Sequence, residues 1–257
     1  MELLLICAVA LLGSGLTLFS GFGLGTLLLP VFGIFFPVDI AIAMTAIVHF
    51  LNNTFKFLLF RKHINPKVVL RFGLPSVLAA VAGALLLQEL GKGQPLATYT
   101  LGHSLHQITP LKLIIGLLMI IFACFELVPA LKKLSIDTRY LPAGGLLSGF
   151  FGGLSGHQGA LRSVFLLRLK MQKEEFIATG IAIACMIDIS RLSVYALHIR
   201  NAGTSLHFGW IAAATGAAFA GAWIGNRLLK KVTISFLQIT VALFIILFSL
   251  ALMAGLV

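Results

Sequence analysis

Residues 144–170 read GGLLSGFFGGLSGHQGALRSVFLLRLK, and residues 13–37 carry a fainter copy of the same character, GSGLTLFSGFGLGTLLLPVFGIFFP. Each stretch is apolar enough for lipid, yet each is cut in the middle by glycines: Gly152, Gly153, Gly156 and Gly159 in one, Gly21, Gly23 and Gly25 in the other. Glycine is a poor helix former and lets backbones approach closely, so each stretch reads as two short helices joined at a Gly-rich tip. Interrupted hydrophobic segments at matching places in two halves of a membrane protein point to a transporter's binding site.

The composition agrees with a lipid environment. Apolar residues make up 59% of the 257 and charged residues 11%, with a mean hydropathy of +1.05. Soluble domains are about 45–50% apolar and about 25% charged, so the expectation is an all-α integral membrane protein. The alternating pattern of a membrane β-barrel is absent. The net charge of +11 is explained by basic cytoplasmic loops, without a nucleic-acid partner. Cys7, Cys124 and Cys185 sit in apolar runs without CxxC spacing and read as packing residues, with no metal site and no cofactor implied. No nucleotide-binding motif is present, so drive by ATP bound to this chain is not expected. The apolar run from Leu3 has no basic leader and is read as part of the mature fold.

Six segments reach the length of about 20 residues that a membrane crossing needs: 39–60, 68–90, 111–131, 175–198, 208–228 and 234–256. Basic clusters orient them. Arg61, Lys62, Lys67 and Arg71, then Lys132, Lys133 and Arg139, then Arg168, Lys170 and Lys173, then Arg227, Lys230 and Lys231 all fall on one side, the cytoplasmic one. The loops 88–110 and 200–205 face outward. The stretch 140–170 then begins and ends inside. It is expected to be a re-entrant hairpin, with two tightly paired crossings as the alternative, and the N-terminal stretch mirrors it from outside. Each half is one hairpin plus three spans, and an odd number of spans makes the halves inverted.

Self-comparison supports a repeat. Ser14 falls on Ser148, an offset of 134, and at that offset Gly25 falls on Gly159, Leu27 on Leu161 and Thr45 on Thr179. Phe72-Gly73 falls on Phe208-Gly209 a little further on. The expected division is repeat 1 over 1–131, a cytoplasmic linker over 132–139 and repeat 2 over 140–257.

The second arm of each hairpin starts at its tip, near mid-membrane, and helix N-termini there are ready-made anion sites. Backbone N–H groups around Gly23, Gly25 and Thr26, and around Gln158 and Gly159, are the expected cradle. The polar tip Ser155, Gly156, His157 and Gln158 adds hydrogen-bonding partners. Gly144, Gly145 and Gly149 are assigned to close helix packing instead. Arg162, one turn into the arm, is either the charged anchor of a small anionic substrate or a structural link to a helix C-terminus.

Two polar faces at helical spacing cross the apolar spans: His49, Asn52, Asn53 and Lys56 on one, Asp188, Arg191 and Tyr195 on the other. They are expected to line the inner and outer routes. An internal ion pair between Asp188 and Arg191 competes with a direct substrate role. Lys56 could snorkel to the interface. His49 could relay protons or simply pack, and Glu126 is a second proton candidate. The segment GLSG at 153–156 also resembles the nucleophile region of rhomboid-type membrane proteases, which would need a histidine on a separate helix, His49 or His198, beside Ser155.

The Gly-rich pattern in SGLTLFSGFGLGTLLLP (14–30) and SGFFGGLSGHQGALRSVFLL (148–167), with Val81-Ala-Gly-Ala84 and Gly221-Ala222 on the third spans, resembles the TauE/SafE family of sulfite exporters over essentially the whole chain. That resemblance implies a multi-pass protein of the bacterial cytoplasmic membrane that moves small, typically sulfur-containing anions. Many members have consecutive glycines at the first tip and Gly-Pro-Pro at the second. Here the tips read Gly21-Phe-Gly-Leu-Gly25 and Gly156-His-Gln-Gly-Ala-Leu-Arg162, and the second, with His157, Gln158 and Arg162, is more polar than that pattern. The expected function is therefore anion transport by alternating access, with an anion channel or a membrane serine hydrolase as alternatives and proton coupling as an added feature.

Overall fold

A computed structural model describes the chain except for residues 21–22, 129–135, 203–205 and 229–233. Helices dominate it: α1 (Glu2–Ser20), α2 (Leu24–Phe35), α3 (Val38–Phe60), α4 (Pro66–Gly91) and α5 (Pro110–Leu127). They are followed by α6 (Leu141–Ser155), α7 (Gly159–Leu166), α8 (Lys173–Ala202), α9 (Phe208–Leu228) and α10 (Ile234–Met253). Local chemistry starts several of them. Asn65 accepts from Val68 N–H with Pro66 at the first helical position, and Thr109 accepts from Lys112 N–H ahead of Pro110. These are side-chain caps on otherwise orphaned N–H groups, with proline where no donor is needed.

Four helical stretches, Val38–His63, Pro66–Gly91, Lys173–Leu197 and Phe208–Gly225, are long and apolar enough to cross a membrane. Helices α5 and α10 stand where the other two spans were expected. Leu4, Leu78, Leu85 and Leu247 lie half or more exposed, an apolar outer surface that suits lipid. This is a multi-pass membrane protein. Lys132, Lys133, Lys230, Lys231, Gly21 and Phe22 lie outside the described residues, as do the side chains of Glu126, His198, Arg200 and Arg227.

Both glycine-rich stretches are broken helices. Helix α1 stops before residue 21 and α2 begins at Leu24, with Gly23 extended at its cap. Helix α6 ends on Gly156 at φ +83°, and α7 starts at Gly159. That left-handed cap requires glycine twice over: an L side chain is strained there, and a Cβ would stand 2.8 Å from Arg191 Nη1.

The closest neighbour of α6 is α4, and that of α1 is α9; α3 crosses α8, and α5 packs on α10. Glycine sets the first two contacts. Gly145, Gly149 and Gly153, one per turn, face the backbone of Phe72, Ser76 and Ala80 in the same order, and Gly83 faces Phe150 from the other side. On the opposite flank Gly221 meets the backbone of Leu11 and Gly225 that of Gly15. Without side chains between them the backbones touch, which is how helices gain packing energy where no hydrophobic effect is available. Gly145 and Gly149 thus do the packing expected of them, and Gly144 lies under the Phe165 ring.

One element was not expected. The segment 88–110, expected as an outward loop, contains an antiparallel hairpin, β1 (Ala97–Leu101) and β2 (Ser104–Ile108). Leu101 pairs with Ser104, leaving a two-residue loop with Gly102 at φ +64°, the requirement of a type II′ turn. Tyr99 donates to Ala254 O at 2.6 Å and His106 bonds Gly255 O at 3.1 Å, so the hairpin clasps the end of α10.

Candidate functional site

The centre of the molecule is polar. His49, Asn52, Asn53 and Lys56 on α3, and Asp188, Arg191 and Tyr195 on α8, are all buried, as are Ser155, His157 and Gln158 at the second helix break. Burial without partners would be costly in so apolar a setting, and most of these groups are joined.

Asp188 is the hub. Its Oδ1 accepts from Arg191 Nε at 3.0 Å and Nη2 at 2.8 Å, and from the Gln158 amide at 3.2 Å. Its Oδ2 pairs with His49 Nδ1 at 2.7 Å and accepts from Asn53 at 3.4 Å. The internal Asp188–Arg191 pair weighed from the spacing is therefore present, one turn apart on α8. It is not confined to α8, because the same carboxylate also reaches α3 and the tip before α7.

Both helix breaks touch this cluster. Gln158, the residue capping α7, reaches it through its side-chain amide. From the other side, the His49 ring lies against the start of α2: a Cβ at Gly23 would stand 3.7 Å from His49 Nε2, and one at Gly25 3.6 Å from its Cδ2. Thr26 is buried in the first turn of α2, its N–H bonded to Gly23 O. The path from one break to the other runs Gln158, Asp188, His49, Gly23.

Arg162 joins at one remove. Its Nη1 donates to Gln158 Oε1 at 3.3 Å, and its guanidinium lies over Gly180 of α8. Arg191 bonds Asp188 through Nε and Nη2 and turns Nη1 toward Gly156. Tyr195 donates to Gly153 O on α6.

A second polar group sits on α1. Lys56 Nζ donates to Ser14 O at 3.2 Å, while the Ser14 hydroxyl donates to Asn52 Oδ1 at 2.9 Å. Each polar face thus grips a backbone carbonyl on the first arm of a broken helix, α3 on α1 and α8 on α6. Lys56 is buried and bonded, not snorkelling. Ser14 was singled out only as a repeat match; its sequence signal was a polar residue in line with the buried Ile6 and Ala10 of α1 at spacing four.

At the second tip, His157 Nδ1 lies 3.1 Å from Ser155 Oγ, and its ring stacks on Phe122 of α5 at 5.3 Å. Its Nε2 is buried without a hydrogen-bond partner, and so is Asn52 Nδ2. Ser155 itself bonds Phe151 O. The histidine beside Ser155 is a neighbour on the same tip, not the residue from a separate helix that a hydrolase would require.

Interrupted apolar helices around a buried, hydrogen-bonded polar centre define a membrane transporter. The family model for the sulfite exporter TauE/SafE matches residues 5–252, nearly the whole chain. The chain belongs to that family, whose members are transporters and not enzymes, which removes the serine-hydrolase alternative. Neither a curated protein nor a solved structure matches the chain.

Proposed function

We propose that this protein is a secondary transporter that carries a small anion, a sulfur-containing oxyanion or organosulfonate, across the bacterial cytoplasmic membrane by alternating access. The anion sits between the two helix breaks, held by N–H groups around Gly23, Gly25 and Thr26 and around Gln158 and Gly159. Arg162 is its charged anchor, with Ser155, Gly156, His157 and Gln158 around it. Asn52, Asn53 and Lys56 line the inner route, Asp188, Arg191 and Tyr195 the outer.

The architecture behind this reading is two inverted repeats, 1–131 and 140–257, each a re-entrant hairpin plus three spans, joined by a cytoplasmic linker at 132–139. The reciprocal packing supports it: α1 lies on α9 as α6 lies on α4, while α3 with α8 and α5 with α10 pair across the middle. A two-fold relation in the membrane plane would generate that set of neighbours.

One observation carries the substrate class. Two helix N-termini border a polar cluster in which, among the described residues, the guanidinium groups of Arg162 and Arg191 stand with one acidic side chain, Asp188. An anion would balance such a centre, and a bidentate oxyanion suits a guanidinium with a neighbouring amide.

The test is thermal stability of the purified protein with sulfite, sulfate, thiosulfate, alkylsulfonates, phosphate, carboxylates and halides. A cargo at a hundred times its Kd stabilises by about 2.7 kcal/mol. One anion class should raise Tm, and Arg162→Ala should remove the shift. No shift with any anion would overturn the reading. In vesicles, saturable uptake with counterflow is expected; a passive, unsaturated current would make the protein a channel.

A further inference from the structure

His49 links the acidic hub to the first helix break. Its Nδ1 is 2.7 Å from Asp188 Oδ2, and its Nε2 side faces the start of α2 at Gly23. It is buried, on a helix where Asn53 also reaches Asp188 Oδ2 while Asn52 and Lys56 bond Ser14. We propose that His49 is the proton site of the transport cycle, so that each anion bound at the α2 tip is accompanied by a proton on His49 Nε2. This rests on the anion reading above.

The chemistry follows from which ring nitrogen carries the hydrogen. Against a carboxylate, Nδ1 must carry its hydrogen and donate, which leaves the Asn53 amide to donate to Asp188 Oδ2 at 3.4 Å and to the ring at Nε2, 3.3 Å away, a contact that protonation of Nε2 would displace. In the neutral ring Nε2 is then a lone pair. A lone pair facing the N–H groups of α2 repels an anion that approaches the same groups. A proton taken from water on the loading side turns Nε2 into a donor, and the imidazolium lies between two anions, Asp188 and the cargo. Release of the anion on the far side removes one of them, and the proton leaves to water there. Nothing is oxidised or reduced; one N–H bond forms and later breaks.

The surrounding charges are few. Helix α8 contributes Asp188, with Arg191 behind it and Cys185 one turn earlier. Arg162 approaches from α7 by way of Gln158. Lys56 is two turns further along α3, on Ser14. The described turns of α2 carry no ionisable side chain, nor do the middle turns of α4 and α9. Asp188 is therefore the only ionisable group in direct contact with the ring among the described residues.

The experiment is calorimetric titration of the purified protein with thiosulfate and methanesulfonate, anions that stay unprotonated across the range, at several pH values. Repeating it in buffers of different ionisation enthalpy counts the protons taken up. The protonated form binds, so affinity should fall as pH rises, by up to about tenfold per pH unit for one linked proton. His49→Gln should still bind, more weakly, with no proton uptake and a flat pH profile.

A readout on the native sequence guards against a variant that does not fold: an imposed thiosulfate gradient across vesicles should move protons in the same direction, reported by a trapped pH dye. Binding without proton uptake, or uptake unchanged in His49→Gln, would overturn the coupling and leave the anion reading standing. No binding of either anion, together with no shift across the wider panel, would remove both.

Discussion

Arg191 closes back on Asp188 from one turn away, through Nε at 3.0 Å and Nη2 at 2.8 Å, with both side chains almost wholly excluded from the surface. A buried pair of this kind is held by mutual neutralisation. Removing one member strands the other in an apolar interior.

Asp188→Ala should therefore cost about 3–5 kcal/mol through the unpaired Arg191. Tm of the detergent-solubilised protein should fall steeply. Adding Arg191→Leu should recover part of the loss, because the stranded charge goes with it. A double variant no better than the single one would mean that the loss came from His49 and Gln158 instead.

The α4–α6 contact predicts a contrast between glycines. A Cβ at Gly149 would collide with the backbone of Ser76, whereas at Gly216 on α9 it would meet nothing within 4 Å. Gly149→Val should leave little monodisperse protein. Gly216→Ala should be neutral or stabilising by about 0.5–1 kcal/mol from helix propensity. Size-exclusion profiles and Tm separate the two.

The His157 ring is held by its stack on Phe122, yet its Nε2 has no partner. His157→Phe keeps the packing and removes the spare polar atom. Stability should be unchanged or raised. If Nε2 serves the cargo, anion affinity should drop about tenfold, the worth of one hydrogen bond of about 1.4 kcal/mol. Unchanged affinity would place the cargo away from His157.

Tyr195 ties α8 to α6 through Gly153 O. Tyr195→Phe removes this bond without a cavity and should lower stability by about 1 kcal/mol. The same variant should leave cargo affinity nearly intact, since the hydroxyl points at backbone. Chemical denaturation and the anion titration report these separately.

Much of this was legible in the chain. A run of His49, Asn52, Asn53 and Lys56 on an apolar span has few explanations besides a buried polar face, and the helix breaks announced themselves by glycine in lipid-length segments. What pairs with what was not legible. His49 meets Asp188 across 139 residues, and no local rule joins them. The residue types at Gly145, Gly149 and Gly153 indicate close packing but do not say that the partner is the α4 backbone. The β-hairpin could have been found: Tyr99, Leu101, Leu105 and His106 around Gly102-His103 carry a strand-turn-strand pattern that was masked by reading 88–110 as a connection between spans.

The placement of α1 against α9 bears on how the protein is made. The ribosome delivers α1 first, with Gly15 and the flat face beside it, but the helix that fills that face is among the last to leave the tunnel. Until then α1 must wait in the bilayer with that face uncovered. Chains that stop short of residue 208 would keep this surface open, and membrane quality control would meet them as unfinished goods rather than as a smaller transporter.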